Sequence, residues 1–246
     1  MKWTIGDIHG NYLTLLELIK KVKNKDPKAE FYFTGDFCDR GPRSAEVIKY
    51  IIEGIKSKEF KAVKGNHEEM FYDFFECSSG FIQNGGEQTI DSYMNFYSNL
   101  SKDEVFFKME EDARFLNSLP LYIVEDELII SHSFCIEEVH EKGIENINSI
   151  RDEIFNWNRL LPKENIQTNY FNITGHNITN YFRKHKLKGF NKKTEVIICE
   201  NYACIDTGAF ITEGHNLDYG GVLTALSYPG LEVLQQQNID QGAKNV

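Results

Sequence analysis

Three short clusters in the first third of this 246-residue chain carry side chains able to do chemistry. They are Gly6-Asp7-Ile8-His9-Gly10, Gly35-Asp36-Phe37-Cys38-Asp39-Arg40-Gly41 and Gly65-Asn66-His67-Glu68. Each begins where a short apolar run stops at a glycine. One Gly-Asp turn after a strand is ordinary turn chemistry. Three in succession, at repeated strand–turn–helix spacing, point to one site, because ligands of an open α/β sheet bind where strands end and helices begin. That arrangement gathers Asp7, His9, Asp36, Asp39, Arg40, Asn66 and His67 at one edge, and the glycines let the backbone turn sharply enough to bring them together. Two later fragments, Ser131-His132-Ser133 and Gly175-His176-Asn177, each close an apolar run and add a histidine at a strand end. Beside the first three clusters, both histidines read as ligands rather than as structural residues.

The elements that must position these groups follow from the apolar spacing. Met1–Ile5 reads as a strand, and Asn11–Lys23 as a helix with Leu15, Leu18, Ile19 and Val22 on one stripe. Glu30–Thr34 is a strand. Ser44–Lys56 is a helix with Val47, Ile48, Ile51, Ile52 and Ile55 facing inward and Ser44 as its cap. Lys61–Lys64 is a short strand, and a helix follows from His67. From about Ser78 to Ser118 the pattern is mostly helical, with turn residues at Asn84–Gly86 and a capping box formed by Ser101 and Glu104. After Pro120 strands dominate: Leu121–Val124, Leu128–Ser131, Phe171–Thr174, Glu195–Cys199, Ala203–Ile205, Leu223–Ser227 and Leu231–Leu234. The later run predicts a second sheet packed on the first. The expected fold class is therefore α/β (α+β in some schemes), a central β-sandwich flanked by helices. Residues 1–246 read as a single domain, with the helical stretch at about 78–118 inserted as a cap over the site.

Composition narrows the function classes. The net charge of -10 leaves no basic excess to offset phosphate repulsion, so neither general nucleic-acid binding nor anionic-membrane binding is expected. Cys38, Cys77, Cys135, Cys199 and Cys204 form no CxxC pair and are odd in number, which argues against a disulfide framework and for a reducing compartment. The start of the chain lacks a basic flank followed by an apolar stretch, and no apolar run approaches the roughly 18 residues of a membrane span. A soluble, cytoplasmic protein is expected, monomeric or weakly oligomeric. His140, His185 and His215 have no motif around them and read as surface or loop residues. The lysine run Lys184, Lys186, Lys188, Lys192 and Lys193 reads as a solvated face.

Taken in order, GDIHG, GDFCDRG, GNHE, a strand-end histidine, GHN and Ile205-Asp206-Thr207-Gly208-Ala209 resemble the calcineurin-like metallophosphoesterases. More narrowly they are similar to the bacterial and phage branch of the phosphoprotein phosphatases. The resemblance runs from Met1 to about Leu234. It includes Asn84-Gly85-Gly86 with Thr89, Ser92 and Tyr93, and Trp157-Asn158-Arg159. It implies the four-layer metallophosphatase fold and two divalent metal ions, manganese first, with iron, zinc, nickel or cobalt as other candidates. Asp7 and His9 would bind one ion, Asp36 would bridge both, and Asn66, His132 and His176 would bind the second. His67 would act as general acid, oriented by Asp39, while Arg40 and Arg159 would hold phosphate oxygens. Arg151 and Arg183 lie in the same half of the chain as Arg159 and compete for its role. The sequence departs from the family pattern at Phe37, Cys38, Ser133, Phe134 and Asn177.

The chemistry agrees with that assignment. Oxygen and imidazole donors without a thiolate suit borderline divalent metals. A bridging carboxylate holds two such ions roughly 3.5–4 Å apart, the spacing that clamps the attacking and leaving oxygens of an in-line displacement. Two arginines add planar forks for phosphate oxygens, and a proton donor beside the metals serves an alkoxide leaving group. The leading expectation is a metal-dependent phosphomonoesterase acting on phosphoserine or phosphothreonine proteins, with phosphotyrosine and small phosphoesters as further substrates. Attack would come from a water activated between the metals. The alternative on the same scaffold is a dinucleoside polyphosphate hydrolase of the diadenosine tetraphosphatase type, against which Asp39 and Glu68 weigh. A catalytically dead binding module would lack a ligand, and here all six are present.

Overall fold

Strand β1 (Lys2–Ile5) is buried from Trp3 onward, as expected of a central strand covered on both faces. It pairs in parallel with β2 (Glu30–Phe33), Trp3 beside Phe31 and Ile5 beside Phe33, and β2 pairs in parallel with β3 (Phe60–Ala62). The connections are helices α1 (Tyr12–Lys25) and α2 (Ser44–Lys56), which bury Leu15, Leu18, Ile19 and Val22, and Val47, Ile48, Ile51 and Ile52, against this sheet. Helix α3 (Asn66–Phe75) follows β3. Because the three strands are parallel, the loops after them leave along one edge. On the other side of β1, β9 (Val222–Tyr228) and β10 (Val233–Gln237) complete the order β10-β9-β1-β2-β3. The computed structural model describes residues 1–78, 80–162, 166–180, 182, 194–211 and 221–240.

The second sheet is built from β4 (Tyr122–Glu125), β5 (Leu128–Ser131), β6 (Phe171–Thr174), β7 (Ile197–Ile198) and β8 (Tyr202–Cys204), in the order β4-β5-β6-β8-β7. Strands β5, β6 and β8 are mutually parallel, so His132, His176 and Asp206 also emerge at one edge. The two sheets share an apolar layer that joins Tyr32 and Leu226 of the first to Leu128, Ile130, Ile173 and Ala203 of the second. Helices cover the outer face of each, giving the mixed α/β sandwich anticipated from the strand pattern.

Residues 82–86 form a π-helical turn with Gly85 at φ 101°, followed by α4 (Glu87–Phe96) and α5 (Lys102–Asn117). Helix α4 packs on α2 and α5 on α3. Ser101 and Glu104 form the anticipated capping box on α5.

Several local expectations need correction. Ser44 does not cap α2: it is the first helical residue, and its Oγ instead accepts the Asp39 N–H at 3.2 Å. Strand β3 lies at Phe60–Ala62 rather than at Lys61–Lys64, and the last strand at Val233–Gln237. Between β5 and β6 the chain is helical, with α6 (Ile136–Lys142), a 3₁₀ turn at Ile144–Ser149 and α7 (Asp152–Asn156). These pieces span two turns or fewer, too short for a 3.6-residue period to register. His140 is exposed on α6. His185, His215 and the lysine run lie outside the described residues.

Candidate metal centre

The strand-end loops hold their chemistry in an unusual backbone. His9, Asp36, Asp39, Arg40 and His176 all adopt positive φ, between 45° and 70°. A non-glycine residue there costs roughly 1–2 kcal/mol, tolerated where surrounding structure over-determines it. Part of that structure is a pair of close approaches by glycine. A Cβ on Gly65 would overlap Asp36 Oδ1, and one on Gly175 would overlap Asp7 Oδ1.

Asp36 is the centre of the arrangement. Its Oδ1 lies 3.3 Å from His132 Nε2 and accepts the His67 backbone N–H at 3.1 Å. Its Oδ2 lies 3.5 Å from His9 Nε2 and 3.9 Å from His67 Nε2. Two groups of potential metal donors therefore share one carboxylate: His9, Asp36 and His67, and Asp7, Asp36 and His132, each with donor atoms within 4.8 Å of one another. Asn66 Oδ1 stands 3.0 Å from both His132 Nε2 and His176 Nδ1, and those two ring nitrogens are 3.1 Å apart. His176 Nε2 is buried without a hydrogen-bond partner among the described residues.

The ring orientations are set by the backbone. His9 Nδ1–H donates to Cys38 O at 2.8 Å, and His132 Nδ1–H to Thr34 O at 2.7 Å. Each leaves Nε2 facing the neighbouring site groups, the usual way a protein aims a metal-ligating imidazole. Asp7 is fixed by Thr34 Oγ1 at 3.1 Å and the His176 N–H at 2.8 Å. Surplus acceptors, a shared carboxylate and the absence of a thiolate together fit borderline divalent cations.

The electrostatics are those of a site built around positive charge. Burial, reinforced by Asp206, pushes Asp7 well above the usual carboxylate range. Burial also raises Asp36, but His132, then His67 and His9, outweigh it and hold Asp36 well below that range. Burial lowers His132, yet the Asp36 carboxylate lifts it to about 9. His176 falls to about 2 through burial, His132 and Arg159. His9 falls well below the ordinary imidazole value through burial, Arg40 and His67.

Beside these donors stands a buried dyad. His67 Nδ1–H donates to Asp39 Oδ2 at 2.6 Å, and Asp39 Oδ1 accepts from Thr89 Oγ1 at 2.7 Å. Arg40 donates from Nη1 to His9 Nε2 at 2.7 Å and from Nη2 to His67 Nε2 at 2.9 Å. Its guanidinium lies 4.4 Å over the Phe210 ring. Arg159 lines the same cavity as Asp36, Arg40, Asn66, His67 and His176. Arg151 instead flanks α7 at the surface, and Arg183 lies outside the described residues. All ten expected site residues thus converge, Asp7, His9, His132 and Asp39 through their contacts and the rest on the cavity wall.

Sequence reading missed four contributors. Thr34 orients both Asp7 and His132. Glu68 is fully buried and accepts the N–H groups of Asp36, Phe37 and Gly65 at 2.7–2.8 Å, tying two site loops together. Asp206 is buried beside Asp7 and Arg40, and Phe210 supports Arg40. Glu68 and Asp206 carried a signal, in the Gly65–Glu68 and Ile205–Ala209 motifs, though neither was given its role; Thr34 and Phe210 carried none.

Fold and site define a metallophosphoesterase. The chain belongs to the calcineurin-like phosphoesterase family, whose model matches residues 3–232. It is similar to a protein of Halalkalibacterium halodurans named bis(5'-nucleosyl)-tetraphosphatase PrpE, asymmetrical, at 33% identity over 140 residues, 52% of this chain and 55% of that one. The match thus spans about half the length of that relative. A protein of the same name from Anoxybacillus flavithermus is 28% identical over 249 residues, covering 94% of this chain and 91% of that one. Among solved structures, a serine/threonine phosphatase of Saccharomyces cerevisiae shares the fold with a TM-score of 0.52 at 18% identity, over 98% of this chain and 76% of that one.

Proposed function

We propose that the chain is a metal-dependent hydrolase that cleaves dinucleoside tetraphosphates asymmetrically. The observation that carries the hydrolase reading is the Asp36 carboxylate, shared between two donor groups, with Arg40 and Arg159 on the same cavity. The similarity to relatives named for that activity, extending over nine-tenths of both chains, favours the dinucleotide over a phosphoprotein. The sequence-based ranking was the reverse, and one of its two arguments falls. Glu68 is spent on three backbone amides and has no part in the cavity wall, so its identity carries no information about substrate.

Asp7, His9 and Asp36 on one side, and Asp36, Asn66, His132 and His176 on the other, are the ligands we assign to two divalent ions. Manganese is the first choice, and iron, zinc, nickel and cobalt share the donor preference. When bound, the ions would neutralise phosphate charge and activate the attacking water. Arg40 leaves His9 Nε2 to grip phosphate oxygens with Arg159. Once Arg40 has also left His67 Nε2, that nitrogen is free to carry the proton for the leaving oxygen, and Asp39 keeps the Nδ1 proton in place. A cytoplasmic, monomeric or weakly oligomeric protein completes the reading, with 78–118 as a cap within one domain.

The Asp39–His67 contact supports a second reading, phosphoserine or phosphothreonine hydrolysis. A buried proton donor has most to do when the leaving group is an alkoxide. The test is manganese-loaded protein on diadenosine tetraphosphate, a phosphoserine peptide and a phosphotyrosine peptide. The proposal expects fastest turnover of the dinucleotide, with a nucleoside triphosphate and a monophosphate as products. Faster release from either peptide would overturn it. No hydrolysis of any of them, or of an aryl phosphate, would leave a binding module.

A further inference from the structure

The cleft is larger than a phosphate group requires, and part of its lining is apolar. Its volume is about 800 Å³, within the roughly 300–1,000 Å³ that house whole small-molecule ligands. Its lining combines metal-donor residues and the two arginines with Leu160, Ile178, Phe182 and Phe210. The two kinds of surface are paired. Arg40 lies against the Phe210 ring at 4.4 Å, and Arg159 is followed directly by Leu160, a leucine left 70% exposed. A large aliphatic side chain held in water beside an arginine at a cleft wall has surface to offer a ligand.

A matching ligand carries oxyanions at one end and a broad apolar body a few bonds away. A nucleotide has that shape, whereas the chain around a phosphoserine supplies no ring there. We infer that Leu160, Ile178, Phe182 and Phe210 form a nucleobase subsite, which seats the purine of the nucleotide whose phosphates Arg40 and Arg159 hold. The inference rests on the dinucleotide reading above. Base contacts of this kind tolerate different purines, because they bury the ring face rather than read its edge.

The probes are AMP and inorganic phosphate, titrated calorimetrically into the manganese-loaded protein. The variants are Leu160→Ser and Leu160→Trp, both at an exposed position that leaves the core and the arginines untouched. The subsite predicts that Leu160→Ser weakens AMP about tenfold, the worth of one leucine's contact. Leu160→Trp should hold AMP at least as tightly as the native protein, and phosphate affinity should stay within about twofold in both. Equal changes for AMP and phosphate, or none for either, would overturn the subsite. Hydrolysis of diadenosine tetraphosphate by the native protein separates this from the parent reading. Cleavage without Leu160-dependent AMP binding sinks the subsite alone, and Leu160-dependent AMP binding without cleavage sinks the substrate alone.

Discussion

Replacing Asp39 by asparagine tests what the buried dyad is for. Asp39 Oδ2 accepts the His67 Nδ1 proton at 2.6 Å, and Oδ1 accepts from Thr89 at 2.7 Å. Asparagine is nearly isosteric, so its amide can keep one of these contacts, but the negative charge facing the imidazole is gone. A buried hydrogen bond to a charged group contributes about 1.5–3 kcal/mol. Protonated His67 loses that support, which corresponds to roughly 10- to 150-fold in a step limited by proton donation. Only substrates that need the proton feel the loss. The serine alkoxide of a phosphopeptide is a strong base and needs it, while nitrophenolate or a departing nucleotide phosphate is a weak one. Initial rates for Asp39→Asn should therefore fall about 10- to 150-fold on a phosphoserine peptide. They should fall less than about threefold on nitrophenyl phosphate and diadenosine tetraphosphate. Metal content, measured by elemental analysis, should match the native protein. Equal losses on all three substrates at full metal content would refute proton donation by the His67–Asp39 pair.

Four other perturbations probe the framework. Asp36→Asn removes the shared carboxylate and should strip both metals, so full metal content in that variant would end the bridging assignment. Gly175→Ala places a methyl group against Asp7 Oδ1, and should lower metal affinity by more than about tenfold while circular dichroism shows the fold retained. His132, lifted to about 9 chiefly by Asp36 against its burial, is protonated at neutral pH in metal-free protein and must lose that proton to bind. Metal affinity should thus rise about tenfold per pH unit until about pH 9 and then level, with matching proton release by calorimetry in two buffers. By the same sign, the stability His132 lends the metal-free fold is complete below 6.5 and is lost as pH rises through about 9. Asp240 accepts the N–H groups of Leu13 and Thr14 at 3.0 and 2.9 Å, capping α1 from the far end of the chain. Asp240→Ala should cost about 1–2 kcal/mol, or a fall of roughly 2–8 °C in Tm, with the donor groups otherwise intact.

The clusters around Asp7, Asp36 and Asn66 were legible because a βα loop in a parallel sheet is a local object. Its glycines, its polar residues and the apolar runs on either side are contiguous in the chain, so a reader of the chain sees the unit whole. The same holds for the histidines that end β5 and β6, and for the capping box at Ser101. The short helices between His132 and Asn156 were not legible, having no period long enough to show. Nor was the role of Glu68, on which, together with Asp39, the substrate ranking leaned. Its carboxylate turned out to serve amides about thirty residues away.

From its sequence alone, then, the phosphoesterase family and the set of candidate donor residues follow, because residue type and strand-end position are local properties. Tertiary structure decides how those donors are shared and aimed. Asp36 faces His9 with one oxygen and His132 with the other, and a carbonyl 98 residues distant turns the His132 ring. Leu160, Ile178 and Phe210 meet across one cleft from separate loops. Such orientations and cavities come from side-chain packing between distant segments, and no spacing along the chain records which segments will meet.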